Sequence, residues 1–374
     1  MACSATARRR SRNLWRGKLY NVLMHIREAT RADSAELVAL QSRCPQGTSF
    51  RVTLVNSPHF FTRVEIHDDY CVYVVCEDTR IAGSIACIVR DALINGRVEK
   101  VGRVFQLFVD PVYRGRGLAG MLLAACEEYL KARDIRLAYA IVMQGNTPSM
   151  RCLERQGYVR HRTLPMPGIV VFRDMELPCS ENVRQATVDD LPAVAHLLNS
   201  IWGSRDFYEP ASAAGLANLV ERVPGLGINN IFLLTQDGQV LASLGFWEMG
   251  RVMQMTVKSL SFKMRAAGAV IGAMRLFGPA PSPPQPGDVL RQASLTHMGY
   301  RDTKDLAVLL RHLNNHVYAM GIGQIFYACE KGSPLLGVTR GFVHIDSAMH
   351  LYIRPLRLGL RPGSGPVYIT GLDL

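Results

Sequence analysis

Apolar residues fall along this chain in two kinds of run, and the switches between them mark out its elements. Residues 104–109, VFQLFV, are a β-prone run that reads as a buried strand, ended by Asp110 and Pro111. From Leu118 the period turns helical. Leu118, Leu122, Ala125 and Tyr129 share one face, while Glu127 and Lys131 lie opposite and can pair at i, i+4. Residues 137–143 then read as a strand, followed by a loop, a short helix and a Gly157-Tyr158 pair leading into another strand. Upstream, residues 72–75 and 81–89 carry a hairpin signal.

The order is written twice. IREATRADSAELVAL, from Ile26, aligns without gaps on VRQATVDDLPAVAHL, from Val183, with Arg27/Arg184, Ala29/Ala186, Thr30/Thr187, Asp33/Asp190 and Leu40/Leu197 identical. Thr30 and Asp33 make a capping-box-like start to a helix. Residues 231–234, Asp237-Gly238 and 240–247 repeat the hairpin, and the stretch from Leu295 can be laid without gaps on that from Leu107, which sets Leu306-Ala307 on Leu118-Ala119. Residues 322–343 track residues 135–159. The expected architecture is α/β, an α+β mixed sheet in each of two tandem domains, residues 26–180 and 181–374, after a tail of residues 1–25. Residues 258–277 read as an inserted amphipathic helix packed on the second domain, with contact of its basic face to a membrane or a partner as the alternative, followed by a Pro-rich surface loop, and a last strand is expected near residues 367–370.

The totals agree with this division. A chain of 374 residues is too long for one core and suits two. No apolar run is long enough to cross a membrane. Nine cysteines without C-x-x-C pairs read as reduced thiols in a cytosol-like compartment, so a cytoplasmic location is expected. Half of the net charge of +12 lies in Arg8, Arg9, Arg10, Arg12, Arg16 and Lys18 of the tail, which is read as dispensable, with a transit peptide or a basic arm for nucleic acid as alternatives. The remaining charge does not call for a nucleic-acid partner.

Candidate chemistry concentrates between the strand at 104–109 and the helix from Leu118. Arg114-Gly115-Arg116-Gly117-Leu118-Ala119-Gly120 places three glycines and an alanine at a helix start, where free N–H groups and the helix dipole favour an anion and small residues let it approach the backbone. A pyrophosphate is the natural guest, with Arg114 and Arg116 adding charge. The run is neither a P-loop, which needs Gly-Lys-Ser/Thr, nor a G-x-G-x-x-G dinucleotide loop.

Arg114, Gly117 and Ala119, directly after Val109-Asp110-Pro111, resemble motif A of the GNAT N-acetyltransferase superfamily, [Q/R]-x-x-G-x-[G/A]. The resemblance implies acetyl-CoA as acetyl donor, with its pyrophosphate on the amides of Gly115, Arg116, Gly117, Leu118, Ala119 and Gly120. It also implies that the strand backbone at Leu107, Phe108 and Val109 holds the pantetheine arm. Asn146, Ser149, Arg155, Gly157 and Tyr158 match the family's motif B, N-x-x-A-x-x-L-Y-x-K-x-G-F, and the resemblance brings Asn146 and Ser149 to the cofactor. The motif's tyrosine, which many members use to protonate the departing thiolate, falls on Leu153, which has no proton to give. Tyr158 takes the usual Phe position, a packing role.

Acetyl transfer by direct attack needs a neutral amine and a proton acceptor. Glu65, Asp68, Asp69 and Glu99 are the carboxylates available by position, and no catalytic residue is assigned. In the second copy the gapless alignment sets Asp302 on Arg114 and Asp305 on Gly117. Two carboxylates would repel a pyrophosphate, so this domain is read as degenerate. His312 and His316, at i, i+4, lack an acidic third ligand, and no metal site is expected. Residues 202–209 hold Trp202, Asp206, Tyr208 and Glu209, which either close over the acceptor or pack the interface between domains. The tandem order resembles the HOOKLESS-type N-acetyltransferases of plants. The reading is an acetyl-CoA-dependent N-acetyltransferase acting on an amine of a small molecule or a protein; the alternative is a non-catalytic acyl-CoA sensor or scaffold.

Overall fold

A computed structural model describes residues 17–19, 22–177, 182–356 and 360–374. In the first half the elements run β1 (Gly17–Leu19), β2 (Val22–Glu28), α1 (Ser34–Arg43), β3 (Phe50–Asn56), β4 (Asp69–Glu77), β5 (Arg80–Ile94), β6 (Arg97–Val109), α2 (Leu118–Lys131), β7 (Leu137–Met143), α3 (Thr147–Arg155), β8 (Val159–Pro165) and β9 (Gly168–Val170). The second half continues with β10 (Val183–Gln185), α4 (Leu191–Trp202), α5 (Ala213–Arg222), β11 (Ile231–Gln236), β12 (Gln239–Glu248), β13 (Met253–Leu260), α6 (Phe262–Met274), β14 (Val289–Leu290), β15 (Gln292–Tyr300), α7 (Thr303–Ala319), β16 (Gln324–Phe326), α8 (Leu335–Val338), β17 (His344–Ile345) and β18 (Ala348–Pro355). Of the expected tail, residues 1–16, 20 and 21 lie outside the described residues. Residues 17–19 form β1, and β2 opens at Val22, upstream of the Ile26 start that the pattern suggests.

The fold is mixed α/β, with two large mixed sheets. One has the order β1-β2-β4-β5-β6-β7-β18-β8, the other β10-β11-β12-β15-β16-β9-β17, and a small third sheet joins β14, β13 and β3. Neighbours are antiparallel except β6–β7 and β15–β16. Both copies of the repeated opening do the same local work. Arg27 grips Asp33 with two bonds of 2.8 and 2.7 Å, and Arg184 grips Asp190 with two of 2.7 and 2.6 Å. Each aspartate also accepts from the Thr30 or Thr187 N–H, so the helix start is capped and tied back to the preceding strand.

The sheets exchange strands. β18, from the end of the chain, lies between β7 and β8 of the first sheet, with Tyr352 opposite Ala140 and Leu351 opposite Arg162. β9, which follows β8, lies between β16 and β17 of the second, with Ile169 opposite Ile325 and His344. β18 is covered on both faces, one of them apolar and the other carrying His350, Tyr352 and Arg354. Met349, Leu351 and Ile353 join the core between the halves, while Tyr352 joins the core under α2. Residues 367–370, expected as the last strand, make only a bridge between Val367 and Asp206. The residues after them, 371–373, lie along β15, where Ser294 Oγ donates to the Gly371 C=O at 2.8 Å.

Two further expectations change. Lys258 belongs to β13, and the inserted helix α6 begins only at Phe262. No residue of α6 is fully buried: Gly268, Ile271 and Gly272 on its inner side are half-buried, while the face with Phe262, Val270 and Phe277 points to water. Residues 202–209 pack between the halves. Trp202, Asp206 and Tyr208 are buried, the Phe207 N–H donates to the Leu93 C=O and the Leu93 N–H to the Tyr208 C=O, so the segment docks on the end of β5.

A chain cut after residue 180 loses β18 and leaves β7 and β8 without the strand between them. Such a fragment is expected to lack a cooperative urea transition and fixed near-UV circular dichroism, both of which the full chain should show. A cooperative transition in the fragment would show that the exchange is not a folding requirement.

Candidate functional site

β6 is the strand around which the site is built. It pairs with β7 only through Gly102 with Ala138 and Arg103 with Tyr139, and beyond Arg103 the two strands part. Gln106 stands in the fork at φ +52°, with a register shift opposite it in β5, so β6 carries a bulge where the fork opens. Gln106 Nε2 donates to Asn56 Oδ1 at 3.0 Å, and Asn56 is itself buried and bonded to Phe60, which ties the bulge to β3. The Asp110 N–H donates to the Ala82 C=O at 2.9 Å. By alternation the backbone groups of Leu107 and Val109 face the open side of the fork, while those of Phe108 face β5, where it lies opposite Ser84.

Residues 110–117 then lead to α2, and their shape is held from below. Buried Asp110 accepts from Arg43 Nε at 2.8 Å and from the Val112 N–H at 3.2 Å, with Arg80 at 3.6 Å. Burial alone would raise its carboxyl; the bonds and the two guanidinium charges outweigh this and hold it below the usual carboxylate range. Tyr113 hydrogen-bonds Glu77, which pushes its phenol up, and Glu77 stands 3.7 Å from Arg116. Arg114 Nε donates to the Val109 C=O at 3.2 Å, setting its guanidinium across the mouth of the fork.

Gly115 and Gly117 both have φ +79°, and a Cβ built on either meets nothing within 4 Å. Gly117 is the N-cap of α2 and supplies no side chain to it. The start of α2 therefore has open space beside it and no side-chain cap to compensate its helix dipole, a geometry that suits an oxyanion such as a pyrophosphate. Gly120 serves differently from its neighbours: a Cβ there would lie 2.6 Å from Gln156 Nε2, so its smallness lets α2 and α3 approach. Asn146 caps α3, accepting from the Ser149 N–H at 3.4 Å.

The second copy keeps the bulge and loses the loop. His297 in β15 has φ +49°, as Gln106 has in β6. However, Arg301 and Asp302 alone connect β15 to α7, and Asp302 caps that helix by accepting from the Lys304 N–H at 2.9 Å. The gapless alignment thus corrects to a deletion, and Asp302 corresponds to Gly117 as N-cap.

Residues 36–158 match the model of the Acetyltransferase (GNAT) family. That segment is a GNAT domain. Among solved structures, Saccharomyces cerevisiae N-myristoyltransferase with bound myristoyl-CoA is similar over 91% of this chain and 80% of its own, with a TM-score of 0.61 and 12% identity. A GCN5-related N-acetyltransferase from Sphaerobacter thermophilus is similar over 91% and 98%, with a TM-score of 0.55 and 15% identity. A GCN5-related glucosamine N-acetyltransferase region of a fungal multi-domain β-N-acetylglucosaminidase matches over 89% of this chain and 38% of that one, with a TM-score of 0.58 and 13% identity. At these identities the likeness is one of fold, and it extends over both halves of the chain. By family and fold the GNAT domain is an acyltransferase.

At the base of the fork the structure gathers charges that the sequence reading missed. Buried Asp373, from the C-terminal segment, accepts from Arg103 at 2.8 Å and from Arg90 at 3.2 Å, and Arg90 Nε donates to Tyr139 Oη at 2.8 Å. Burial would raise the Asp373 carboxyl, but Arg103 and Arg90 outweigh it and hold it low. The two arginines had a signal, since each interrupts an apolar strand run; Asp373 had none, because its partners lie in the other half of the chain. The carboxylates named as candidate bases are engaged elsewhere: Glu65 with Arg31, Asp68 with Arg222, Asp69 with Tyr129 and Arg133, and Glu99 with Arg136. Leu153 and Tyr158 are both buried in the core under α2. The His316 ring packs on Phe232 and Phe246.

Removing Asp373 leaves two buried guanidinium groups without their carboxylate, so Asp373→Ala is expected to cost about 3 kcal/mol or more in urea unfolding. Because the folded-state carboxyl lies below its ordinary 3.8, its contribution is full above that pH and is lost as pH falls through the depressed value. The gap between wild type and Asp373→Ala should therefore narrow on acidification below about pH 4. A gap that stays constant with pH would rule out the ionised pairing.

Proposed function

We propose that the GNAT domain transfers an acetyl group from acetyl-CoA to a primary amine by direct attack. The observation that carries the reading is the start of α2, where Gly115 and Gly117 are left-handed with open space beside them and no side chain caps the helix. Gly115, Arg116, Gly117, Leu118 and Ala119 would hold the pyrophosphate through their backbone, with the guanidiniums of Arg114 and Arg116 adding charge at the mouth. Leu107 and Val109 would offer backbone groups to the pantetheine arm on the open side of β6, and Asn146 and Ser149 would contribute from the start of α3. When bound, the thioester supplies an acyl carbon open to a nucleophile. The bulge at Gln106 keeps β7 away from residues 104–109, which leaves the attacking amine a path between the strands.

Leu153 has no proton to donate, so the thiolate would leave unassisted by that helix. The second half is proposed to be a degenerate GNAT-like domain, residues 181–374, that binds no CoA. Its helix start is capped by Asp302, and residues 371–373 lie along its β15, where a Cβ on Gly371 would come 2.1 Å from the Leu295 C=O. A reducing, cytoplasmic setting is supported by the described cysteines, all of them free. Among the described residues no helix is long and apolar enough to cross a membrane.

Calorimetric titration of acetyl-CoA into the full chain is expected to give one site. Gly117→Glu sets a side chain and a charge in the cradle and should abolish binding, while far-UV circular dichroism stays unchanged. Two sites per chain would remove the assignment of the second half. Tighter binding of a long-chain acyl-CoA would replace acetyl as the transferred group, and binding without release of CoA to any amine would favour a sensor.

A further inference from the structure

α6 and the turn after it leave a broad apolar face in water. Phe262, Leu276 and Phe277 are 77%, 84% and 91% exposed, and Val270 and Met274 are exposed beside them. At 100° per residue Phe262, Ala266, Ala269, Val270, Ala273 and Phe277 fall on one contiguous face. The opposite side meets protein: a Cβ on Gly268 would lie 3.1 Å from the Pro283 side chain, so the Pro-rich loop braces the helix from beneath. Gly268 and Ile271 on that inner side are half-buried, so α6 is apolar on both sides and the outer apolar face is left to water.

The charge around this face has one sign. Lys258, Lys263, Arg265 and Arg275 lie on or beside the helix, and from residue 252 to residue 287 the sequence has no Asp or Glu. Lys263 and Arg265 flank the apolar face on its two borders, where long side chains can bury their stems and keep their charges in water. Facing copies of such a surface would set cation against cation, which disfavours a second copy of this chain as the occupant. A broad apolar face with basic borders and no acid fits the interface of an anionic lipid layer, in which the rings and Leu276 enter the acyl boundary and the cations meet the headgroups.

We infer that α6 and the turn after it dock this protein on an anionic membrane surface. The inference does not depend on the acyl donor. The docking element is rigidly joined to the site, because α6 leaves β13, β13 pairs with β3 from Met253–Asn56 to Leu260–Phe50, and Asn56 at the end of β3 holds Gln106 in the fork. A membrane-bound molecule would therefore hold its fork at a fixed orientation to the surface.

The test is co-sedimentation of the full chain with vesicles of phosphatidylcholine alone and of phosphatidylcholine with phosphatidylserine. Binding is expected to the anionic vesicles and to weaken with added salt. Phe262→Ser with Phe277→Ser, and separately Lys263→Glu with Arg265→Glu, should each weaken it about tenfold or more. All four side chains are exposed, so both double variants should keep the wild-type urea midpoint and circular dichroism. No binding to anionic vesicles, or binding that neither pair of substitutions changes, would overturn the proposal. So would concentration-dependent self-association without lipid that Phe262→Ser with Phe277→Ser removes, which would give the face to a second copy.

Discussion

The exchange of β18 and β9 is the constraint on which the rest of the molecule depends. Each large sheet is completed by a strand from the other half, and a strand paired on both sides cannot leave without breaking two ladders of hydrogen bonds. The halves are therefore not beads on a linker. The crossing also delivers the C-terminal segment to the centre of the molecule, where Asp373 joins Arg90 and Arg103 at the base of the first fork. Breaking a buried pair of this kind costs more than making it gains, so the cluster fixes how the halves sit as much as it stabilises them.

On this shared frame the two copies diverge at one connection. Both have a strand with a left-handed residue at the fork, Gln106 or His297, followed by a helix. In the first copy residues 110–117 are long enough to carry two left-handed glycines and to leave the helix start uncapped. In the second, Arg301 and Asp302 close the gap, and the helix is satisfied by the Asp302 carboxylate of its own chain. A helix start can offer its N–H groups to a ligand or to its own cap, and loop length decides which. The second fork also lies against residues 366–374, so its space serves to hold the segment that reaches across to the first.

The polar environment around the first fork is arranged by pairs that cross long stretches of sequence. Asp110 is held by Arg43 and Arg80, and Gln106 by Asn56. Each partner comes from a different element, so the loop and the bulge are fixed by the packing of α1, β3 and β5 around them. Arg114, bonded to the Val109 C=O, and Arg116, beside Glu77, stand part-exposed at the mouth. β13 extends the same frame outward, carrying the rigidity of β3 to the exposed helix α6.

What local physics controls could be read along the chain. The Thr30–Asp33 and Thr187–Asp190 helix starts, the two hairpins, the strand at residues 137–143 and the glycine loop before α2 were all legible, because capping, alternation and left-handed turns act over a few residues. The repeat gave the order of elements in both halves. Only the tertiary structure decided that the last strand is β18 in the first sheet, that residues 367–370 are no strand, that the second connection is deleted and not merely recharged, and that α6 faces water. Strand partners, the ion pairs of Asp373 and the side of a helix that meets the core are contacts between distant parts of the chain. A local pattern states that an apolar face exists; it does not state what covers it.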